Sequence, residues 1–223
     1  MIIVSKPPFT LDLYVITHHA LAGPRGILSV AEAAIAGGAD VIQLREKDLP
    51  TAELVRLGTV LRELTRRTGR IFIVNDRVDV ALAVDADGVH LGQDDMPIPI
   101  ARRLLGPEKI IGGSAGNLEE ARVCLEAGAD YIGVGPIYRT GTKADAGAPV
   151  GPALITAIKE LTGLPIVAIG GIDAQNARAP IVAGADGVAV VSAVFGAADP
   201  EAAARQLRAV VQAAKHDRQT LPS

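Results

Sequence analysis

Short apolar runs of strand length alternate with longer amphipathic stretches along almost the whole chain. Eight runs have the length and apolar content of buried strands, at residues 11–16, 39–44, 71–74, 88–91, 109–112, 130–133, 165–169 and 186–190. Helical stretches follow at 27–36, 51–68, 78–84, 97–105, 118–127 and 152–161, with one opened by Asp173 and a last at 200–215. Thr51 is placed to cap the long second helix. Strand, helix and strand in succession make the strands parallel, because the chain must cross back before it pairs again. The pattern also echoes itself: AGGAD from Ala36, EAGAD from Glu126 and VAGAD from Val182 each lead into a buried strand. A helix that ends in Gly lets the backbone take a left-handed turn at that point. Residues 1–10 form a loose start, and the polar stretch 216–223 is expected to be a disordered tail.

Eight strand–helix units in 223 residues predict an α/β fold, a single-domain TIM (β/α)8 barrel over residues 1–215. A doubly wound open sheet survives only if one or two of the strands are misassigned. The chain is 49% hydrophobic yet has only three Phe, three Tyr and no Trp, so Ala, Val, Leu and Ile must build the core. That suits parallel strands buried under alanine-rich helices. The net charge of −3 argues against a nucleic-acid surface or a polybasic membrane patch. The single cysteine, Cys124, excludes an internal disulfide and stands in an apolar helical stretch, as a small core residue would. No apolar run approaches membrane-spanning length, and no basic segment precedes an apolar one near Met1. The expected location is cytoplasmic.

In such a barrel the chemistry belongs on the loops that follow the strands. The polar residues there are Gln43, Arg45, Lys47, Asn75, Asp76, His90, Gln93, Asp94, Asp95, Ser114, Thr140, Thr142, Lys143 and Ser192. Asp76 and Asp95 end neighbouring strands, so their carboxylates meet at one mouth and repel unless a cation or a shared proton intervenes. Capping a helix is the alternative role for each. Arg45, Lys47 and Lys143 form a basic set facing them. Acids and cations together suit a diphosphate bridged by Mg2+, with Asp oxygens on the metal and Lys/Arg on the outer oxygens. Gly170-Gly171 and Val191-Ser192, after the last two strands, stand where barrels commonly hold a phosphate; two plain tight turns are the other reading. The longest connection, 135–151, reads as a lid or as a mobile surface loop. His90 either packs beneath a ligand or is a hydrogen-bonded core histidine.

The segments YVIT at Tyr14, QLREK at Gln43, VND at Val74, DGVHLGQDD at Asp87, GPIYRTGTK at Gly135 and AIGGI at Ala168 make the chain resemble thiamine-phosphate synthases over nearly the whole barrel. The resemblance implies a Mg2+-dependent transferase. It would join 4-amino-2-methyl-5-hydroxymethylpyrimidine diphosphate to a thiazole phosphate, or to its carboxylate form, giving thiamine phosphate and diphosphate. The implied course is dissociative: diphosphate departs and the thiazole nitrogen captures a pyrimidine-methyl cation. By the same resemblance Gln43, Leu44, Arg45, Glu46, Lys47, Asn75, Ser114 and Lys143 hold the pyrimidine diphosphate. Thr140, Gly141, Thr142, Gly171, Val191 and Ser192 hold the thiazole phosphate, and Asp76 and Asp95 bind Mg2+. Arg45, Lys47, Ser114 and Lys143 are the expected catalytic residues. Strand alternation alone allows either Asp94 or Asp95 to face the ion; the family pattern selects Asp95. The implied partners are small phosphorylated molecules, with no nucleic acid, no membrane, and a homo-oligomer left open. Three positions depart from the pattern: Gly116 where His is usual, Arg139 where Pro is common, and His18 where an acid is frequent. The rival readings are a thiazole tautomerase, which uses no diphosphate and does not need the charged set, and a non-catalytic barrel that senses a phosphate.

Overall fold

In the computed structural model, which describes residues 9–142 and 147–220, each apolar run pairs with its neighbours as a parallel strand. The strands are β1 (Leu13–Ile16), β2 (Val41–Leu44), β3 (Ile71–Asn75), β4 (Gly88–Leu91), β5 (Ile110–Ala115), β6 (Tyr131–Val134), β7 (Ile166–Ile169) and β8 (Gly187–Val190). They close in sequence order, β8 pairing back onto β1, as a (β/α)8 barrel. Around it run α1 (His19–Ala22), α2 (Gly26–Ala36), α3 (Thr51–Thr68), α4 (Val78–Ala83) and α5 (Ile98–Leu105). The ring continues with α6 (Leu118–Glu126), α7 (Ala153–Thr162), α8 (Arg178–Val182), α9 (Ser192–Phe195) and α10 (Pro200–Thr220). No helix among the described residues is long and apolar enough to cross a membrane.

Alternation along each strand sorts the side chains into two cores. Leu13, Val15, Ile42, Leu44, Phe72 and Val74 point outward and pack against the helices. Tyr14, Ile16, Val41, Ile73, Tyr131 and Val167 fill the interior. Strand parity therefore places Gln43, Asn75, His90 and Ser114 on the inward face. Burying aliphatic side chains on both faces of every strand is what holds a parallel sheet in water.

The lower edge of the barrel is clamped four times in the same way. The Asp that precedes each even-numbered strand donates its N–H to the carbonyl of the first or second residue of the odd strand before it. Its carboxylate accepts that same residue's N–H. Asp40 does this with Leu13, at 2.9 and 3.1 Å. Asp87 engages Phe72 at 2.9 and 2.8 Å, Asp130 engages Ile111 at 2.7 and 2.8 Å, and Asp186 engages Ile166 at 2.7 and 2.8 Å. Each carboxylate also meets a cation from the helix that leads into the odd strand. Arg62 of α3 reaches Asp87, Arg102 of α5 reaches Asp130, and Lys159 of α7 reaches Asp186. Arg208 of α10, the last helix and so the neighbour of β1 around the ring, reaches Asp40. The residue two before each Asp has positive φ: Gly38, Asp85, Gly128 and Gly184. The GAD echo in the sequence is this clamp.

Several expected boundaries move, three of them because of the clamp. Strands two, six and eight start later than expected, because Ala39-Asp40, Asp130 and Asp186 belong to the clamp. Strand five runs on through Gly112 and Gly113 to Ala115, so Ser114 lies within it. Asp173 does not cap a helix; its carboxylate accepts from the N–H groups of Gln175 and Asn176 in a turn, and α8 begins at Arg178. Thr51 is the first helical residue instead of the cap, and its hydroxyl accepts from Arg77 at 2.9 Å. Residues 216–220 are helical, contrary to the disordered tail expected there. Arg218 donates to the carbonyls of Ile181 and Ala185, and Asp217 pairs with Arg178, which docks the end of α10. Residues 221–223 and 1–8 lie outside the described residues.

Burial ranks the clamps. The Asp40 side chain is 6% exposed and holds two arginines, Arg70 and Arg208, whereas that of Asp186 is 32% exposed and holds one lysine. Breaking a buried ion pair from one side leaves a charge unpaired, while an exposed pair is worth little. Asp40→Ala is expected to cost about 3 kcal/mol or more of stability and Asp186→Ala about 1–2 kcal/mol, from the lost ion pair and N–H partner. Urea unfolding of the two variants checks this, and equal or reversed losses would contradict the ranking.

Candidate active site

The carboxyl ends of the strands surround a cavity of about 530 Å3. Of the residues expected at the site, Gln43, Arg45, Lys47, Asn75, Asp76, Asp95, Ser114, Thr140, Thr142, Gly171, Val191 and Ser192 line it. Leu44 and Glu46 do not. The Leu44 side chain is 1% exposed and faces the helices, as outward parity requires. Glu46 accepts from the Thr17 hydroxyl at 2.8 Å and from the His19 N–H at 3.0 Å, tying the loop after β2 to the loop after β1. Both line a second recess of about 310 Å3 that borders Arg45, Lys47, Asn75, Asp76 and Asp95 from the other side. Gly141 lines neither cavity. Lys143 lies outside the described residues.

Asp76 directly follows β3 and has φ 61°, in the left-handed region that a non-glycine residue enters only when its surroundings insist. Its N–H donates to the carbonyl of His90 at 2.9 Å, which fixes it against the end of β4. Asp95 is held from its own loop, where its carboxylate accepts the Gly92 N–H at 2.7 Å. The two carboxyl groups lie close enough to interact. Burial, the adjoining Asp95 carboxyl and its charge push the Asp76 carboxyl up from 3.8 to about 6, while Lys47 and Arg45 pull the other way. Lys47 Nζ lies 4.0 Å from Asp76 Oδ2. Asp94 is exposed, so of the adjacent pair it is Asp95 that meets Asp76.

Among the described residues no group of three or more His, Cys, Asp or Glu is arranged to hold a metal ion. Two acids alone nevertheless suit Mg2+, which takes hard oxygen ligands and commonly completes its shell with water and substrate phosphate. Burial first, and the neighbouring Asp95 carboxyl second, hold the Asp76 carboxyl above its usual range, and a cation between two such acids relieves both effects.

Across the mouth, Gly170 and Gly171 have φ of 100° and 65°. A Cβ on Gly170 would stand 2.6 Å from Pro136 Cα, and one on Gly171 would stand 2.5 Å from the Arg139 carbonyl oxygen. The glycine pair thus lets the loop after β6 pack down. Ile137 and Tyr138 of that loop donate their N–H groups to the carbonyls of Ile169 and Gly170. Val191-Ser192 opens α9, a short helix the sequence reading did not anticipate.

The sequence reading also missed Tyr14 and Tyr131, which line the cavity floor. Their signal was present: they are two of only three tyrosines, each on a strand at an inward-facing position. Of the departures, Gly116 gives its N–H to Glu120 at 2.7 Å, and His18 caps α1. Arg139 is exposed.

The model of the thiamine monophosphate synthase family matches residues 13–194. The chain belongs to this family. Its members are transferases, and similar proteins bear that name. The thiamine-phosphate synthase of Moorella thermoacetica is 58% identical over 204 residues, covering 92% of this chain and 97% of the relative. That of Chloroflexus aurantiacus is also 58% identical, over 89% of this chain and 92% of its own. The solved thiamine phosphate pyrophosphorylase of Pyrococcus furiosus superposes with a TM-score of 0.84 at 46% identity, covering 92% of this chain and 96% of that one.

The acid pair leaves a trace in the ligand-free protein. A carboxyl whose folded pKa lies above its unfolded value adds stability that is complete below about 4 and is lost as pH rises through about 6. Asp95→Asn removes the repelling charge, so with chelator present it is expected to be more stable than the parent above pH 6, with the gap closing below pH 4. Urea midpoints across that pH range test it; a gap that widens toward acid would show that the two carboxyls do not interact.

Proposed function

We propose that this barrel is a Mg2+-dependent thiamine-phosphate synthase joining the pyrimidine diphosphate to the thiazole phosphate, with release of diphosphate. The observation that carries the reading is the juxtaposition of Asp76 and Asp95 with Lys47 and Arg45 on one rim, above a cavity wide enough for two small substrates. Opposite charges in that arrangement serve an anion delivered together with a cation. A purely phosphate-sensing site has no need of the acids.

Asp76 and Asp95 would hold Mg2+, which when bound supplies Lewis-acid stabilisation of the departing diphosphate. Arg45 and Lys47 on the loop after β2, with Lys143 from the long loop, would take up the charge that grows on the leaving oxygens. Gln43, Asn75 and Ser114 hold the pyrimidine end from inside the barrel. Thr140, Thr142, Gly171 and the Val191-Ser192 turn keep the thiazole phosphate on the opposite side, aimed so that its ring nitrogen meets the pyrimidine methylene as the C–O bond opens. Such a reaction asks for position and charge, not a protein nucleophile. Cys124 is consistent with this: burial pushes its thiol up to about 11, and its sulfur is turned toward the Ser114 carbonyl on the helix side of β5. Soluble small phosphorylated molecules suffice as partners, and a cytoplasmic setting agrees with the reactants.

With both substrates and Mg2+, release of diphosphate is the expected product signal. Asp76→Ala and Asp95→Ala are each expected to cut turnover by about a hundredfold or more and to shift the Mg2+ requirement upward. Near-normal turnover in both would remove the acid pair from the mechanism. Lys143→Ala is expected to lower kcat with little change in KM for the thiazole phosphate; a change confined to that KM would move Lys143 to the other substrate.

A further inference from the structure

Inside the barrel, below the charged rim, five side chains from five strands form one unbroken line of hydrogen bonds. Gln43 Nε2 donates to the Tyr14 hydroxyl at 2.7 Å. Tyr14 and Tyr131 share a hydrogen bond of 2.9 Å between their hydroxyls. The Tyr131 hydroxyl lies 3.0 Å from His90 Nδ1, and His90 Nε2 lies 3.0 Å from Ser114 Oγ. The fold gives up two side chains to house this line. A Cβ on Gly112 would stand 2.2 Å from Tyr131 Cζ, and one on Gly133 would stand 2.9 Å from His90 Cε1. The rings also follow one another in tilted contact, with centroids 6.1 Å apart for Tyr14 and Tyr131 and 5.5 Å apart for Tyr131 and His90.

Donor counting gives the line a direction. A phenol has one proton to donate, and burial keeps both phenols protonated by pushing their pKa values up. Tyr14 accepts from Gln43, so its proton goes to its other partner, the Tyr131 oxygen. The Tyr131 proton then goes to His90 Nδ1. A neutral imidazole with Nδ1 accepting carries its proton on Nε2, which donates to Ser114 Oγ. The Ser114 hydroxyl, having accepted inside, keeps its own proton for the cavity.

We propose that the line Gln43, Tyr14, Tyr131, His90, Ser114 is polarised in one direction and sets Ser114 as a hydrogen-bond donor toward the bound pyrimidine diphosphate. Tyr14, Tyr131 and His90 are then positioning residues that act through Ser114. The ligand atom that uses the Ser114 proton is an acceptor, a ring nitrogen or a diphosphate oxygen. An N–H group placed there would find only the hydroxyl's second lone pair and would leave its proton without a partner. Which substrate feels the effect rests on the proposed function; the direction of the line does not.

The test is nitrogen NMR of His90 in the ligand-free protein, followed by Tyr131→Phe. In the parent, Nε2 is expected to carry the proton and Nδ1 to be bare. In Tyr131→Phe, which keeps the ring, that preference is expected to be lost. The KM for the pyrimidine diphosphate should rise about tenfold, the worth of one neutral hydrogen bond, while the KM for the thiazole phosphate stays put. A parent His90 protonated on Nδ1, or on both nitrogens, would overturn the proposal even if the variant cannot be folded. An unchanged tautomer in Tyr131→Phe would overturn it equally. Because the nitrogen shifts are read without substrates, they decide the line's direction whether or not the barrel turns these substrates over.

Discussion

The molecule depends on how a closed ring of eight short strands is fastened at its lower edge. Parallel strands of four to six residues have few ladder bonds each, and their first N–H groups face a region crowded by helix ends. Asp40, Asp87, Asp130 and Asp186 solve this by returning a carboxylate to the N–H whose carbonyl partner they already engage. An N–H left without an acceptor there would cost about 1–3 kcal/mol, and the cation beside each carboxylate offsets the carboxylate's own desolvation. The cations that meet these acids come from outside the ring, so each clamp fastens a helix as well as a pair of strands.

Fastening below leaves the upper mouth at liberty to be unfavourable. Asp76 stands in left-handed backbone with a carboxyl pressed against that of Asp95. Neither feature stabilises the chain. Both are tolerated because the strands that carry them are fixed at their other ends, and because the line from Gln43 to Ser114 braces the ring just beneath. The division follows the barrel's general plan, with stability concentrated at one face and chemistry at the other.

Much of this was legible before any coordinates. Eight strand-length runs led to the barrel, and matched strand ends brought Asp76 and Asp95 together. The GAD echo was visible three times but not four. The missing copy is Asp85-Ala86-Asp87, where Asp85 takes the positive φ that glycine takes elsewhere, so a search for glycine passes over it. Leu44 was grouped with its neighbours by contiguity, yet side chains alternate and its own points to the helices. Ser114 looked like a loop residue because two glycines precede it; those glycines are there to admit Tyr131 and to lie against Cys124, and the strand continues through them. The last helix outran its apolar pattern because Arg218 and Asp217 anchor it by polar contacts that periodicity does not register.

The clamps join β1 to β2, β3 to β4, β5 to β6 and β7 to β8. The strand N–H that each of these carboxylates takes lies within its own pair, although Arg70, just before β3, reaches back across the β2–β3 seam to Asp40. The ring is therefore an assembly of four similarly built quarters, each carrying its own carboxylate fastening and a helix that meets it with a cation. A quarter can be exchanged, duplicated or lengthened at its loops without undoing the bond that defines its neighbour. That gives descent from a smaller repeated unit a physical rationale, and it marks the seams as the places where a redesigned ring is best joined.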